Sequence, residues 1–574
     1  MSPAAFRFGP QIETDGVRFR LWAPDARDVA LAIEDERRTP MARGADGVWT
    51  TLARGGAGMR YRFQVDGQPV PDPASRFQPD DIAGPSEVVD EAAYVWRNAD
   101  WRGRPWVETV LYEAHLGVLG GYDGLRARLP DLAALGVTAV ELMPIGDFPG
   151  VRNWGYDGVL PYAPDSAYGP RDALKALVDD AHGLGLMVFL DVVYNHFGPD
   201  GNWLPAYCKP FFDPKVQTPW GAAIDFTQPM VRAFFTDNVV YWLEAFRFDG
   251  LRFDAVHAID DRTWLTEMAR TVRERFPDRH VHLVLENENN DAGLLRSGFD
   301  AQWSDDFHNV MHVLLTGETH AYYEDFAERP AERLARALAE GFIYQGEASP
   351  HHAGAPRGQQ SADLSPTAFV SFLQNHDQVG NRALGERLTR LARPSALRAA
   401  MALMLLCPQI PMLFMGEEVG AREPFLFFTD FHGELAAAVR EGRRKEFAHS
   451  PGFGDAHDRE AIPDPNAETT FEASRWTASD PDAEAWRALV TRLLALRHGH
   501  IVPRLAGAVS IGAAAIGEAA VIARWRLADG AVLTLAANLG RSPAAALLPD
   551  NAPLFGEPTD GAAPPDTTLA WITP

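Results

Sequence analysis

Between residues 110 and 418, short apolar runs alternate with amphipathic stretches of helical period, and this alternation constrains the chain more than any other feature. A run such as Leu186-Met187-Val188-Phe189-Leu190 is apolar at every position, so both of its faces must be covered; that is the condition of a parallel strand beneath crossover helices. Eight such strands are predicted, at 110–115, 139–144, 187–195, 250–256, 282–286, 301–303, 368–374 and 409–415. Eight is the strand number of a (β/α)8 barrel. Two long connections, 199–220 and 316–365, interrupt the repeat, and excursions of that size are expected to be loop-rich and functional.

The flanks have a different period. Val17, Phe19 and Leu21, then Val29, Leu31 and Ile33, then Tyr61, Phe63 and Val65 alternate with polar residues, and Asp66-Gly67 is a hairpin-type turn; together they predict an N-terminal β-sandwich. After the barrel, the charged run 441–446 reads as a solvated turn or helix and 482–497 as a helix. Alternation then returns at 520–527 and 532–537 around the turn Asp529-Gly530, predicting a C-terminal antiparallel β domain. The expected architecture is multidomain α/β: a sandwich over 1–100, a central TIM barrel over 101–501 and the second β domain over 502–574.

Composition restricts the partners. A net charge of -25, from 53 basic and 78 acidic residues, argues against nucleic acid or an anionic membrane surface and suits a neutral substrate. Cys208 and Cys407 are far apart in apolar stretches, so neither a disulfide framework nor a cysteine metal site is expected, and a reducing compartment fits. Residues 1–14 lack a basic segment followed by an apolar run, so no secretory signal is expected. The longest apolar stretch, 399–415, is broken by Pro408, Gln409 and Pro411 and falls short of a membrane span. The expected location is the cytoplasm.

Barrel enzymes keep their chemistry at the C-terminal ends of the strands. Here the third strand ends in Asp191, Asn195 and His196, the fourth in Arg252, Asp254 and His257, the fifth in Glu286, and the seventh in Asn375, His376 and Asp377. Side chains two apart on a strand share a face, so the Arg252 guanidinium neighbours Asp254 and favours the ionised carboxylate that a nucleophile must be. Taken singly, each residue has a plain structural explanation: an ion pair fixing the strand, a strand cap at Asp191, a satisfied core histidine at His196, a helix N-cap at Asp377. Jointly, four acids, an arginine and three histidines on the strand ends of one barrel point to catalysis. Two carboxyl groups facing one sugar ring, one ionised and one protonated, are what glycoside hydrolysis needs. Glu286 follows the apolar run 281–285, which would hold its proton for general-acid work. Glu288 has the same strand parity, and spacing leaves the choice between them open.

The blocks Asp191-Val-Val-Tyr-Asn-His196, Gly250-Leu-Arg-Phe-Asp254, Leu285-Glu-Asn287 and Gln374-Asn-His-Asp377 resemble the four signature regions of the α-amylase family of retaining glycosidases. Within it, the stretches 141–157, 195–203, 304–308, 374–382 and 411–418 are similar to the trehalohydrolase branch. The resemblance implies that Asp254 is the nucleophile, Glu286 the acid/base and Asp377 the carboxylate that stabilises the transition state. It also implies sugar contacts from His196, His376, Arg252, His257, Asn375, Gln378 and Asn381, a stacking platform at Tyr156, and polar sugar-binding groups at Asp305, Asp306, His308 and Asn309. Tyr156 reads equally as an aromatic barrel plug. The four-residue spacing of His308 and His312 would suit a helical metal site, but the family carries sugar-binding groups there, and neither metal nor organic cofactor is implied. Trp220 and Tyr344 are candidates for gripping the trehalose end, against the commoner role of aromatics as core. The implied substrate is an α-1,4-glucan oligosaccharide ending in trehalose, cleaved at the bond next to that unit. Two departures fall near possible substrate loops: 117–122 is short for the family, and 351–357 replaces a more basic loop. Rival readings are a glycogen branching transferase, a starch-debranching hydrolase, and a catalytically silent glucan-binding protein, the last opposed by the intact set of acids.

Overall fold

The computed structural model describes residues 8–33, 36–218, 221–259, 261–478 and 480–574. Eight parallel strands close in chain order into a barrel: β1 (Leu111–Ala114), β2 (Ala139–Leu142), β3 (Met187–Val192), β4 (Gly250–Phe253), β5 (His282–Leu285), β6 (Ala301–Trp303), β7 (Phe369–Phe372) and β8 (Ile410–Phe414). Each lies within a run predicted from sequence. Most are shorter than their runs, because the polar residues at the C-terminal ends leave the ladder.

The barrel interior is layered by polarity. Its lower layer is apolar, with Leu111, Met187, Phe189, Val284, Phe372 and Met412 among its members, and Trp101 and Trp106 pack against it. Trp106 is pinned there by the hydrogen bond from its Nε1 to the carbonyl of Thr367, at 2.7 Å. Gly250 has no side chain for a reason: a Cβ there would meet the Phe189 ring at 2.5 Å. One pleat further along the strands the inward positions turn polar: Glu113 lies beside Glu141, and Asp191 beside Arg252. An apolar base and a polar upper layer confine the chemistry to one end of the barrel.

The N-terminal region is a pair of antiparallel sheets built from strands between Gln11 and Glu87, with Val17, Phe19, Leu31, Tyr61 and Phe63 buried within. Asp66 and Gly67 both have positive φ, 49° and 90°, as a two-residue hairpin turn requires. Arg76 of this region lies over the rings of Tyr162 and Tyr241 in the barrel, at 4.6 and 4.1 Å. The C-terminal sheet orders its strands Val509–Gly517, Ala520–Arg526, Val532–Asn538 and Thr567–Thr573. The 316–365 excursion is more helical than expected. It contains the helix Pro330–Glu340, whose stripe of Ala331, Leu334, Ala335 and Leu338 is buried, and Trp525 of the C-terminal sheet donates to the Leu338 carbonyl. Residues 441–446 belong to the helix Gly433–Glu446, in which Arg443 is buried and donates to the carbonyl of Gly380. Among the described residues no helix is long and apolar enough to cross a membrane.

Candidate active site

Arg252, at the inward end of β4, organises the site. Its side chain is fully buried, and its guanidinium lies 4.3 Å from the Trp303 ring centroid. One nitrogen, Nη1, donates to Asp254 Oδ1 and to Asp191 Oδ2, both at 2.7 Å. A second donor to Asp191 Oδ2 is the hydroxyl of Tyr156, at 2.6 Å. Burial pushes the Asp191 carboxyl up, against the pull of Arg252. Asp191 therefore acts as a buried brace for Arg252, while Asp254 keeps 11% of its side chain exposed.

Immediately after Asp254 the chain turns through Ala255, held in the left-handed region at φ 40° and ψ 48°. That costly conformation aims its N–H at Glu286, whose Oε2 accepts at 2.6 Å. Arg252 Nη2 lies 3.8 Å from the same oxygen. Asp254 and Glu286 thus bracket one guanidinium. Burial raises the Glu286 carboxyl above the ordinary glutamate range; Arg252 and His257 oppose the shift, and the charges of Asp254 and Asp377 add to it. Glu288 differs: 45% of its side chain is exposed against 16% for Glu286, and it sits between His257 Nε2, at 3.7 Å, and His352 Nε2, at 3.3 Å. Two carboxyl groups around one cation, one of them biased towards holding its proton, can supply a nucleophile and a general acid.

The seventh strand leads into the short helix His376–Gly380. Asn375 caps it, its Oδ1 accepting from the N–H of Gln378 at 2.8 Å. Asp377 projects from the first turn with 45% of its side chain exposed, and Asn381 Nδ2 donates to it at 3.2 Å. Gln378 Oε1 accepts from the Tyr322 hydroxyl. His376 stacks on Tyr156, ring centroids 5.0 Å apart, and His196 holds the Tyr156 carbonyl through Nε2 at 2.9 Å. Tyr156 therefore contacts His376 and Asp191 together, as part of the floor. Two acids that sequence reading passed over lie beneath. Glu113 accepts from His376 Nδ1, and Glu141 is buried with neither carboxyl oxygen hydrogen-bonded to any described residue. Burial, then the charges of Asp191 and Glu113, push Glu141 well above the carboxylate range, which favours its protonated form. The signal for both was a glutamate inside an otherwise apolar strand.

The helix Asp305–Thr316 divides its polar residues between two tasks. Asp305 and Asn309 line a cleft of about 170 Å³ together with Glu286, Glu288, Asp377 and Gln378. Burial and the nearby Glu286 push Asp305 well up. Asp306 and His308, expected to bind sugar, face away from it. Asp306 Oδ2 accepts from the N–H of Ile343, the N–H of Tyr344 and Asn290 Nδ2, and its Oδ1 pairs with Arg357 at 3.1 Å. His308 is buried between the Leu373 carbonyl, at 2.7 Å, and the Tyr323 hydroxyl, at 3.3 Å. His312 is engaged by Glu318 at 2.8 Å. Tyr344 is also corrected: it is buried, its hydroxyl donates to the Asp325 carbonyl, and Arg357 lies over its ring, so it supports the loop and presents no face to the cleft. Trp220 lies outside the described residues. The cleft instead gains Tyr322, Asp325, His351, His352 and Arg357 from the 316–365 excursion.

Residues 94–215 match the α-amylase catalytic domain, 7–79 match carbohydrate-binding module 48 (isoamylase N-terminal domain), and 510–571 match a domain of unknown function, DUF3459. A malto-oligosyltrehalose trehalohydrolase of Deinococcus radiodurans is 42% identical over 471 residues, covering 80% of this chain and 77% of the relative. The chain belongs to the malto-oligosyltrehalose trehalohydrolase family. A second member, from Saccharolobus solfataricus, is 39% identical over 84% of this chain and 86% of its own. The crystal structure of a putative α-amylase from Salmonella typhimurium superposes with a TM-score of 0.93 at 44% identity, covering 99% of this chain and 100% of that one. As a trehalohydrolase-family member with the α-amylase catalytic domain, the protein is a glycoside hydrolase, and its substrate class is α-glucan oligosaccharide.

Proposed function

We propose that this enzyme hydrolyses the α-1,4 bond next to the terminal trehalose unit of a maltooligosyl trehalose, with retention of configuration, and releases trehalose. Asp254 attacks the anomeric carbon while Glu286 passes its proton to the departing glycosidic oxygen. The C–O bond to the trehalose unit breaks as the Asp254 ester forms. Glu286, now ionised, takes a proton from water, whose oxygen displaces Asp254 and restores both groups. Asp377 and His376 hold hydroxyls of the ring being cleaved. The observation that carries this reading is the shared guanidinium of Arg252, which lies 2.7 Å from Asp254 and 3.8 Å from Glu286 and so sets the two carboxyls around one cation in unlike environments. Retention is supported by the resemblance of the strand-end blocks to the retaining α-amylase family, in which the second carboxyl attacks as nucleophile. The names of the relatives support trehalose as the leaving unit. The cleft around Glu286 is walled by Tyr322, His351 and His352. The division into 1–100, 101–501 and 502–574 and a cytoplasmic location belong to the same proposal; Cys208 and Cys407, both buried and unpaired, suit a reducing compartment.

The test is chromatographic product analysis with maltotriosyl trehalose and, separately, maltopentaose. Free trehalose from the first with little cleavage of the second is the expected result. Comparable hydrolysis of both would make the enzyme a general α-glucanase, and longer or branched products would make it a transferase; either overturns the proposal.

A further inference from the structure

The Asp254 and Glu286 chemistry leaves two buried acids of the upper barrel layer, Glu113 and Glu141, without a task. Glu113, at the inward end of β1, is 1% exposed, and it spends both carboxylate oxygens on His376, a residue 263 positions later in the chain. Oε1 accepts from the ring Nδ1 at 2.5 Å, and Oε2 accepts from the backbone N–H at 3.0 Å. This two-point grip fixes both the start of the helix His376–Gly380 and the tilt of the ring. With Nδ1 committed to Glu113, the other ring nitrogen, Nε2, is the one turned towards the cleft, 3.5 Å from Asp377 Oδ1. The ring has no freedom to rotate: Tyr156 stacks on it at 5.0 Å, and Trp154 meets it edge-on at 5.6 Å.

We propose that Glu113 is a positioning residue for the hydrolysis, holding His376 as an imidazolium whose Nε2–H is a charge-assisted donor to a hydroxyl of the sugar being cleaved. A charged donor of fixed direction is shorter and about twice as strong as a neutral one. It also needs no reorganisation as the ring distorts. The titratable and charged groups facing His376 are mostly acids. From β1 comes Glu113, from β2 Glu141, from β3 Asp191 and from its own helix Asp377; opposing them are Arg252 of β4 and His115, just beyond β1. Burial biases Glu141 towards its protonated form, and it lowers His115 to about 4, which leaves that imidazole uncharged at neutral pH. Burial disfavours charge on His376, but Asp377 and Glu113 outweigh it and raise the imidazole to about 9. Without Glu113, burial and Arg252 would face Asp377 with little help, and the balance would shift towards the neutral ring.

The inference rests on this site being the glucan-hydrolysing centre, so its test has one arm that needs no substrate. In proton–nitrogen NMR of histidine-labelled enzyme, His376, assigned by its absence in His376→Asn, should carry protons on both ring nitrogens at neutral pH and be neutral in Glu113→Gln. In kinetics on maltotriosyl trehalose, Glu113→Gln should lower kcat/KM about 100-fold, the scale of one lost preorganised donor. Placed in the His376→Asn background it should add no more than about twofold, since it acts through a ring already gone. Losses that multiply, or a neutral His376 in the active wild type, would overturn the proposal. Should Glu113→Gln fold poorly, Glu113→Asp, which keeps the charge but is too short to hold both donors, enters the same kinetic cycle, with loss of activity expected only where His376 is present and the ring expected to stay charged. A wild-type enzyme inactive on every glucan, yet with His376 doubly protonated, would instead sink the assigned reaction and leave the ion pair standing.

Discussion

Glu286 and Glu288 are two residues apart on the same strand extension, and their difference is one of surroundings. Glu286 is held by the Ala255 N–H and raised by burial, whereas Glu288 lies at the rim between His257 and His352. Glu286→Gln should therefore cut kcat on maltotriosyl trehalose by about 10²–10⁴, the range for loss of a general acid. It should leave thermal stability near wild type, because a glutamine can still accept from Ala255. Glu288→Gln should lower kcat by less than about tenfold, since a rim group transfers no proton in the transition state. Steady-state rates of the two variants decide, and the reverse ranking would reassign the acid. Sequence could name the pair but not choose, because strand parity is identical and the deciding factor, packing around the carboxyl, is tertiary. Glu113 shows the opposite case: a charged residue in the apolar run Val110-Leu111-Tyr112-Glu113-Ala114 was a visible anomaly whose partner, His376, lies too far along the chain to be inferred.

At the level of elements, the eight strands were legible because a strand covered on both faces writes itself as an unbroken apolar run. The helix Asp305–Thr316 was misjudged because its motif was taken whole, where helical period sorts it: Asp305 and Asn309, four apart, line the cleft, while His308 and His312, also four apart, face Tyr323. Asp306 is a loop anchor, and Asp306→Ala would strand the buried Arg357 guanidinium and two amide donors. The expected cost is about 3–5 kcal/mol, the usual result of breaking a buried pair from one side. A urea midpoint unchanged from wild type would show that the loop 343–357 holds without it.

The same helix gives a pH dependence of stability. Burial lowers the folded His308 imidazole to about 3 from an ordinary 6.5, so below 6.5 the unfolded chain binds a proton that the folded chain refuses. Its neutral packing is fully stabilising above 6.5 and is progressively lost as pH falls towards 3. Over that window the slope approaches about 1.4 kcal/mol per pH unit for this one residue. His308→Gln should be less stable at neutral pH yet show a shallower decline in unfolding free energy with acidification. Equal slopes for variant and wild type would mean that the folded ring takes up protons freely.

Across the whole molecule, the joint between the N-terminal sheets and the barrel depends on a residue in neither. Glu91 lies in the segment between them, and its carboxylate meets Arg171 and, at 3.1 Å, Lys175, both on the barrel helix Arg171–Gly183. The Arg171 side chain is 5% exposed and that of Lys175 is 0% exposed. Neither cation can turn to water if the carboxylate is removed, and burial already holds the Lys175 amine below the usual lysine range. Nothing in the sequence marks this role, because Glu91 falls in an irregular stretch and its partners are some eighty residues on. Glu91→Ala should destabilise the protein by about 3–5 kcal/mol, and Glu91→Gln by less, since its amide oxygen still accepts from one of the two. The barrel chemistry lies on other strands, so the surviving folded fraction of Glu91→Ala should keep wild-type KM for maltotriosyl trehalose. Thermal unfolding followed together with KM separates the outcomes: a lowered midpoint with unchanged KM places Glu91 at the joint. A wild-type midpoint would mean that other contacts across the junction, Arg76 over Tyr162 and Tyr241 among them, hold it without Glu91.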